Sequence, residues 1–229
     1  HLPAATQKYR IIADTYIVRD QTERAAGILN DVLKIAPMDL EVRSSLIEML
    51  RKEERWPEVL EQYIDMADAY YQLADFDMAR DTYDEAMQLA EGLDTSTEQY
   101  THILHRMADI DVTRMDLRQA LRTYEQIKAM APEDERTRKA LMDLNYRLNN
   151  RVDAIKELDE LMRLYARQRR PDLIMQVLEE QVALYPDEMA LRSRLAALYA
   201  RMGRRDDAVT QLDALGELQL DAGMPLPAS

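Results

Sequence analysis

The sequence predicts an all-α chain, and three observations carry that reading. Helix formers dominate: Ala, Leu, Met, Glu, Gln and Arg are abundant, whereas the 229 residues include only five Gly, one Trp and one Phe, and strand formers other than Tyr are scarce. Apolar residues recur at three- and four-residue spacing, as in Leu29, Val32, Leu33 and Ala36, or Leu195, Leu198, Tyr199 and Met202, which puts them on one stripe of a helix. Proline and aspartate supply the punctuation. Ala36-Pro37-Met38-Asp39, Ala131-Pro132-Glu133-Asp134 and Tyr185-Pro186-Asp187-Glu188 each stop one helix and offer acids to cap the next. These breaks and weaker ones divide the chain into about twelve helices of roughly 12 to 18 residues.

The composition also excludes several function classes. With 47% hydrophobic residues the chain has material for a sizeable core, more than a disordered segment carries. A formal net charge of −13 repels phosphate backbones and anionic lipid surfaces, so neither nucleic acid nor membrane is expected as a partner. Zero cysteines remove disulfides, thiolate zinc sites and thiol nucleophiles. No apolar run reaches the roughly 18 residues of a membrane helix, and nothing requires an oxidising compartment, so the expected location is cytoplasmic. His1-Leu2-Pro3 has neither an initiator Met nor the layout of a secretory signal, which suggests a segment of a longer protein.

Taken in order, the helices fall into recurring pairs. A stretch from Thr6 carries Tyr9, Ile12, Ala13 and Tyr16 on its first helix, Ala25, Leu29 and Val32 on its second, and Pro37 at the exit. From Leu60 the pattern returns as Tyr63, Met66, Ala67, Tyr70, Ala79 and Tyr83; from Thr101 as Leu104, Met107, Ala108, Ala120, Tyr124, Ile127 and Pro132, with Asp111 standing where a large residue is expected. From Met189 it returns as Leu195, Ala196, Tyr199, Ala208, Leu212 and Leu215, and weaker copies start at Leu40, Glu135 and Ile155. Small residues on both helices of a pair permit close approach, and large ones fill the holes between successive pairs. These residues resemble the tetratricopeptide repeat, a helix–turn–helix unit of about 34 residues. The resemblance implies a right-handed superhelical stack of antiparallel helix pairs over residues 1–218, with 189–218 as the final repeat and 219–229 as a linker-like tail.

Spacing between the starts adds a further expectation. From 40 to 60 and from 135 to 155 the step is only 20 residues, so one helix (about 57–74, and 151–167) must serve two successive repeats. A shift of 95 residues superimposes Thr6 on Thr101, Ala25 on Ala120, Pro37 on Pro132, Arg43 on Arg138 and Tyr70 on Tyr165 without a gap. We read this as an internal duplication of 6–91 and 101–186.

The resemblance further implies that the first helix of each pair lines a concave groove, and candidate partner-binding residues are read there. They are Arg10, Asp14, Arg51, Asp68 and Tyr71, then His105, Asp109, Arg136, Lys139, Tyr146, Arg147, Arg163 and Arg167. Charge shifts along them: residues 1–100 have a net charge of −11 and residues 101–229 of −2, and between Pro57 and Glu98 the only base is Arg80. The basic group in the second half suits an acidic peptide, carboxylate or phosphate, because the guanidinium fork pairs bidentately with such groups. The bland alternative is a solvated face laced with pairs such as Asp159 and Arg163. Tyr71 and Tyr146 are expected to face the groove and anchor a ligand side chain. The family's pocket for chaperone C-terminal tails requires Asn where this chain has Asp14, Glu48, Asp68, Asp109 and Asp143, which argues against that role.

Catalytic constellations are nearly absent from the sequence. His102, His105 and Asp109, with Glu98 before them, share one helix face and form the only ligand-like cluster, but two imidazoles and a carboxylate are read more simply as groove residues. No metal and no cofactor is expected. No glycine-rich phosphate loop or nucleophile turn occurs. The function expected is a non-catalytic protein–protein interaction scaffold. Two alternatives are a regulatory or sensor module of a larger signalling or transcription protein and, less favoured on charge, a nucleic-acid-binding helical repeat. A stack cut at its ends exposes the apolar side of its terminal pairs, so end-to-end self-association is also expected.

Overall fold

A computed structural model describes residues 2–222, which form twelve α-helices and no strand. In chain order these are α1 (Leu2–Val18), α2 (Thr22–Ile35), α3 (Leu40–Lys52), α4 (Trp56–Gln72), α5 (Phe76–Glu91) and α6 (Thr97–Thr113). They continue as α7 (Leu117–Met130), α8 (Glu135–Arg147), α9 (Arg151–Arg167), α10 (Pro171–Leu184), α11 (Met189–Arg201) and α12 (Arg205–Asp221). The final helix outruns its expected end at 218, since Gln219, Leu220 and Asp221 contain no helix breaker; the linker-like stretch from Gly223 lies outside the described residues.

Two kinds of connection join the helices. Seven are tight turns in which one residue takes a left-handed backbone, namely Asp20, Glu54, Ala74, Met115, Asn149, Arg169 and Gly203, with φ between 56° and 74°. After each, the next N–H donates to the carbonyl five residues back, as from Gln21 to Tyr16 at 2.9 Å and from Asn150 to Asn145 at 2.8 Å. That closure satisfies carbonyls orphaned at the helix C-terminus. The other four connections are wider. In three of them a side chain caps the next helix: Asp39, Ser96 and Asp134 accept from the N–H groups of Val42, Gln99 and Thr137 at 3.1, 3.3 and 3.0 Å, as N-cap residues do.

Arginines fasten the proline-bearing turns. Arg43, Arg138 and Arg192 donate to the carbonyls of Pro37, Pro132 and Pro186 at 3.1, 3.0 and 2.6 Å. The same guanidiniums reach Gln62 (2.8 Å), Glu157 (2.7 Å) and Gln211 (3.0 Å) on the helix that follows. One side chain thereby ties a wide turn to the next two helices.

The chain divides at the Ala131–Pro132 step into two compact units. The first holds α1–α7 around two apolar clusters, one containing Leu29, Leu46 and Val59, the other Tyr83, Ile103 and Ile110, with Tyr63 and Leu89 packed against both. The second holds α8–α12 around Leu158, Leu161, Tyr165, Leu178 and Leu195. Within the first unit α4 packs on α3 and α5, and within the second α9 packs on α8 and α10. Helix bounds follow the sequence register: a 95-residue shift carries α1–α4 onto α6–α9 end for end, and the turn residues Asp20, Glu54 and Ala74 onto Met115, Asn149 and Arg169.

Candidate interaction site

In the first unit, most candidate side chains are already engaged. Arg10 on α1 pairs with Glu41 on α3, and the exposed Arg51 donates to the Tyr63 hydroxyl at 3.3 Å. Asp14 is exposed. Asp68 is the most heavily used acid: it accepts from the Tyr83 hydroxyl at 2.5 Å, from Arg106 Nε at 3.1 Å, and lies 3.0 Å from His102 Nε2. Burial alone would raise its pKa, but His102, Tyr83 and Arg106 together hold it below the usual carboxylate value. Asp109 likewise accepts from Tyr124 at 2.8 Å. In both cases the acceptor stands on the first helix of a pair and the donor on the second, 15 residues later. Tyr71 is half-buried, with the Arg106 guanidinium 4.9 Å above its ring and Phe76 edge-on at 5.5 Å.

Two candidates require correction. His105 does not line an open face: it is 9% exposed and packs edge-on against Tyr124. Tyr146 in the second unit is 8% exposed and stacks on Tyr185 at 4.0 Å, so the turn after α10 covers the ring expected to meet a ligand. Both rings are covered by another aromatic ring, an arrangement worth about 0.5–1.5 kcal/mol, and repeat position alone does not reveal which helix or loop will supply that ring. Among the described residues no group of three or more His, Asp or Glu is placed to hold a metal ion.

The second unit carries the basic group. Arg136, Lys139, Arg147, Arg163 and Arg167 are all exposed. Lys139 binds Glu135 at 2.7 Å, Arg147 lies 3.6 Å from Asp143, Arg167 is 3.3 Å from Glu133, and Arg163 pairs with Glu160. Glu135 also accepts from Tyr165 at 2.7 Å; hydrogen bonds from Lys139 and Tyr165 hold its carboxyl below the usual range. The pair of Asp159 with Arg163 suggested by spacing does not form. Asp159 is gripped through both oxygens by Arg194, each contact at 2.7 Å, because a guanidinium fork from a neighbouring helix outcompetes a single contact along the same helix.

Close helix approach is the observation that decides the fold. Each strong repeat has alanine at the same place on its first and second helices, and Ala13, Ala25, Ala67, Ala79, Ala108 and Ala120 are all fully buried, with Ala196 and Ala208 nearly so. The fold is a tetratricopeptide-like α-solenoid. No family model and no curated protein matches the sequence. Among solved structures, the tetratricopeptide-like chain is similar to BtubC (BKLC) from P. vanneervenii, at 16% identity and a TM-score of 0.52, covering 88% of this chain and 94% of that one. MamA is similar over 72% of this chain and 94% of its own, at 15% identity and a TM-score of 0.44. YrrB, a TPR protein with an unusual peptide-binding site, is similar over 96% and 93%, at 12% identity and a TM-score of 0.38.

Residues missed as members of the candidate sites act in the tetratricopeptide-like scaffold itself. Arg106 and Arg194 hold Asp68 and Asp159, and Arg43 holds Gln62 and the Pro37 carbonyl. A signal for Arg43, Arg138 and Arg192 was present: each stands six residues after a turn proline.

Proposed function

We propose that this chain is a non-catalytic interaction scaffold that binds a peptide or partner protein along the exposed first helices of its pairs, with an acidic segment of the partner at α8 and α9. What supports the reading is the state of the basic group. Lys139, Arg147, Arg163 and Arg167 are exposed and are held by acids that are themselves exposed or half-exposed. Such surface pairs contribute only about 0–1 kcal/mol each, so carboxylates or phosphates on a partner can take over the cations at little cost, and the guanidiniums add bidentate geometry. Asp68, Asp109 and Asp159 are poor competitors for this role because buried or half-buried donors already occupy them.

The test is affinity capture from a lysate of the source organism with the wild-type chain and with an Arg136→Glu, Lys139→Glu, Arg163→Glu variant, matched for helical circular dichroism and melting temperature. A protein retained by the wild type and lost by the variant, then reproduced with a synthetic acidic segment of that protein, is the expected result. Identical capture by both would remove the basic group from the binding surface.

A further inference from the structure

We propose that α4 carries a second binding site, for a lysine- or arginine-bearing segment of a partner protein, with the cation seated beside Glu61 and Glu98 and a nearby main-chain carbonyl on the Gln62 amide. The site is separate from the contact proposed at α8 and α9 and does not rest on it. Two hollows flank α4, and Asp65 lines both. The smaller, of about 270 Å³, lies toward α6, with Glu61, Glu98 and His102 around Ile64. Its charge is one-sided. Glu61 and Glu98 are exposed and have no ion-pair partner among the described residues. Asp65 gives one oxygen to Arg43 at 2.8 Å, and His102 is taken by Asp68. Arg80, the one base between Pro57 and Glu98, is held by Asp84 and Asp111. A lysine or arginine side chain meets that demand, since its methylenes cover Ile64 while its charge reaches the carboxylates.

The larger hollow, of about 530 Å³, lies toward α2 and the turn holding Pro37, and its charges are balanced. Lys34 pairs with Asp31 and Arg43 with Asp65, each at 2.8 Å, and Asp68 is taken up by Tyr83, His102 and Arg106. What remains is an amide. Gln62 is only 9% exposed; its Oε1 accepts from Arg43 at 2.8 Å, and its Nε2 donates to nothing among the described residues. A hydrogen bond left unmade by a nearly buried donor costs free energy, and a neutral acceptor such as a peptide carbonyl satisfies it. The 95-residue shift shows the contrast. It carries Gln62 onto Glu157, which has no such donor and neutralises Arg138, and it carries Glu61 and Asp68 onto Lys156 and Arg163. Two demands therefore meet at α4, for a cation on one side and a carbonyl on the other. Three residues of extended chain, at about 3.3 Å each, cross the roughly 10 Å width of a helix, so one short peptide meets both, whereas a free polyamine offers no carbonyl.

The test follows fluorescence anisotropy of a labelled hexalysine, blocked at both ends, with the full chain at low ionic strength. The wild type should bind it, and Glu61→Gln with Glu98→Gln should weaken binding about tenfold. Asp81→Asn with Asp213→Asn removes the same charge from exposed acids elsewhere and should change binding by less than about twofold. Gln62→Glu keeps an acceptor for Arg43, as Glu157 provides for Arg138, but deletes the donor while adding a negative charge. It should weaken hexalysine about three- to tenfold and leave spermidine, which has no carbonyl, bound no more weakly. If circular dichroism shows that Gln62→Glu does not fold, the Gln62 side-chain amide of the wild type, followed by NMR, should shift with hexalysine and not with spermidine. A wild-type chain that does not bind hexalysine overturns the proposal, as does equal loss in the two charge-removing variants, which would mean a diffuse acidic field. Hexalysine binding that Gln62→Glu leaves unchanged or strengthens, or a Gln62 amide that does not respond to it, also overturns it.

Discussion

Arg80 on α5 donates to Asp111 on α6 across 2.6 Å, with the acid almost wholly buried. Each is an oddity in the sequence: Arg80 is the lone base between Pro57 and Glu98, and Asp111 interrupts the repeat where a large residue is expected. The structure explains them together as one cross-helix pair. The second oxygen of Asp111 has no hydrogen-bond partner and is shielded from water, so the pair is imperfectly satisfied. Replacing both members with apolar residues of similar volume should therefore be neutral or stabilising, whereas removing one strands a charge and costs about 3–5 kcal/mol. Urea denaturation should find Arg80→Met much less stable than wild type, because it takes the cation from the buried Asp111 whereas Asp84 would still serve Arg80 in the reverse case, and Arg80→Met with Asp111→Leu at or above it. Equal losses in the two variants would mean that the ion pair itself holds α5 to α6.

Much of the fold was legible because it is local. Pair boundaries follow from proline and aspartate within four residues, and the buried alanines follow from the helical period. The surroundings of the candidate residues were less legible because their contacts span greater separations. Asp68 stands on the first helix of a pair as its repeat position implies, but its partners Tyr83, His102 and Arg106 lie 15, 34 and 38 residues away. Tyr146 looked available until the turn holding Tyr185 stacked on it. Arg163 pairs three residues away with Glu160 rather than four away with Asp159, whose better partner Arg194 comes from two helices further along. Periodicity fixes which stripe a residue occupies; it does not say which loop or long side chain will cover it.

The arginines of the proline turns should differ in importance according to what they neutralise. Arg138 faces Glu157, with both side chains mostly buried, whereas Arg43 faces the neutral Gln62 and the half-exposed Asp65. Arg138→Ala takes the guanidinium away from a mostly buried carboxylate and should cost about 3–5 kcal/mol. Arg43→Ala leaves an amide and a hydrated acid, and its cost should be nearer 1–3 kcal/mol. Combining Arg138→Ala with Glu157→Gln should recover part of the larger loss, which would separate the stranded charge from lost packing. A ranking with Arg43→Ala as the worse variant would refute the argument.

The tight turns offer a stabilising substitution. Ala74 and Met115 adopt φ of 59° and 63°, a region where a Cβ costs roughly 1–2 kcal/mol and glycine has no such penalty. Ala74→Gly and Met115→Gly should each raise the melting temperature, with a net gain below about 1 kcal/mol because glycine also loosens the unfolded chain. Gly203, at φ 74°, is the reverse case, and Gly203→Ala should lower it. Asn149→Gly should change little, since Asn tolerates this conformation. Thermal melts of the four variants would suffice, and a destabilised Met115→Gly would show that its side chain contributes more than its backbone costs.

Asp68 should give the fold an acid-sensitive contribution whose sign is set by its environment. Burial by itself would push its carboxyl up, yet His102, Tyr83 and Arg106 bring it below the ordinary value of 3.8. A carboxylate with a depressed folded-state pKa stabilises fully above its unfolded value and loses that contribution as pH falls through the folded one. Asp68→Asn removes the titrating group while keeping an acceptor for the Tyr83 hydroxyl. The stability gap between wild type and variant should then narrow progressively as pH falls below 3.8. Chemical denaturation across the acid range would read it directly. A gap that stayed constant to about pH 2 would mean that Asp68 draws no net stabilisation from its three donors, and Tyr83→Phe, which deletes one of them, should then be silent as well.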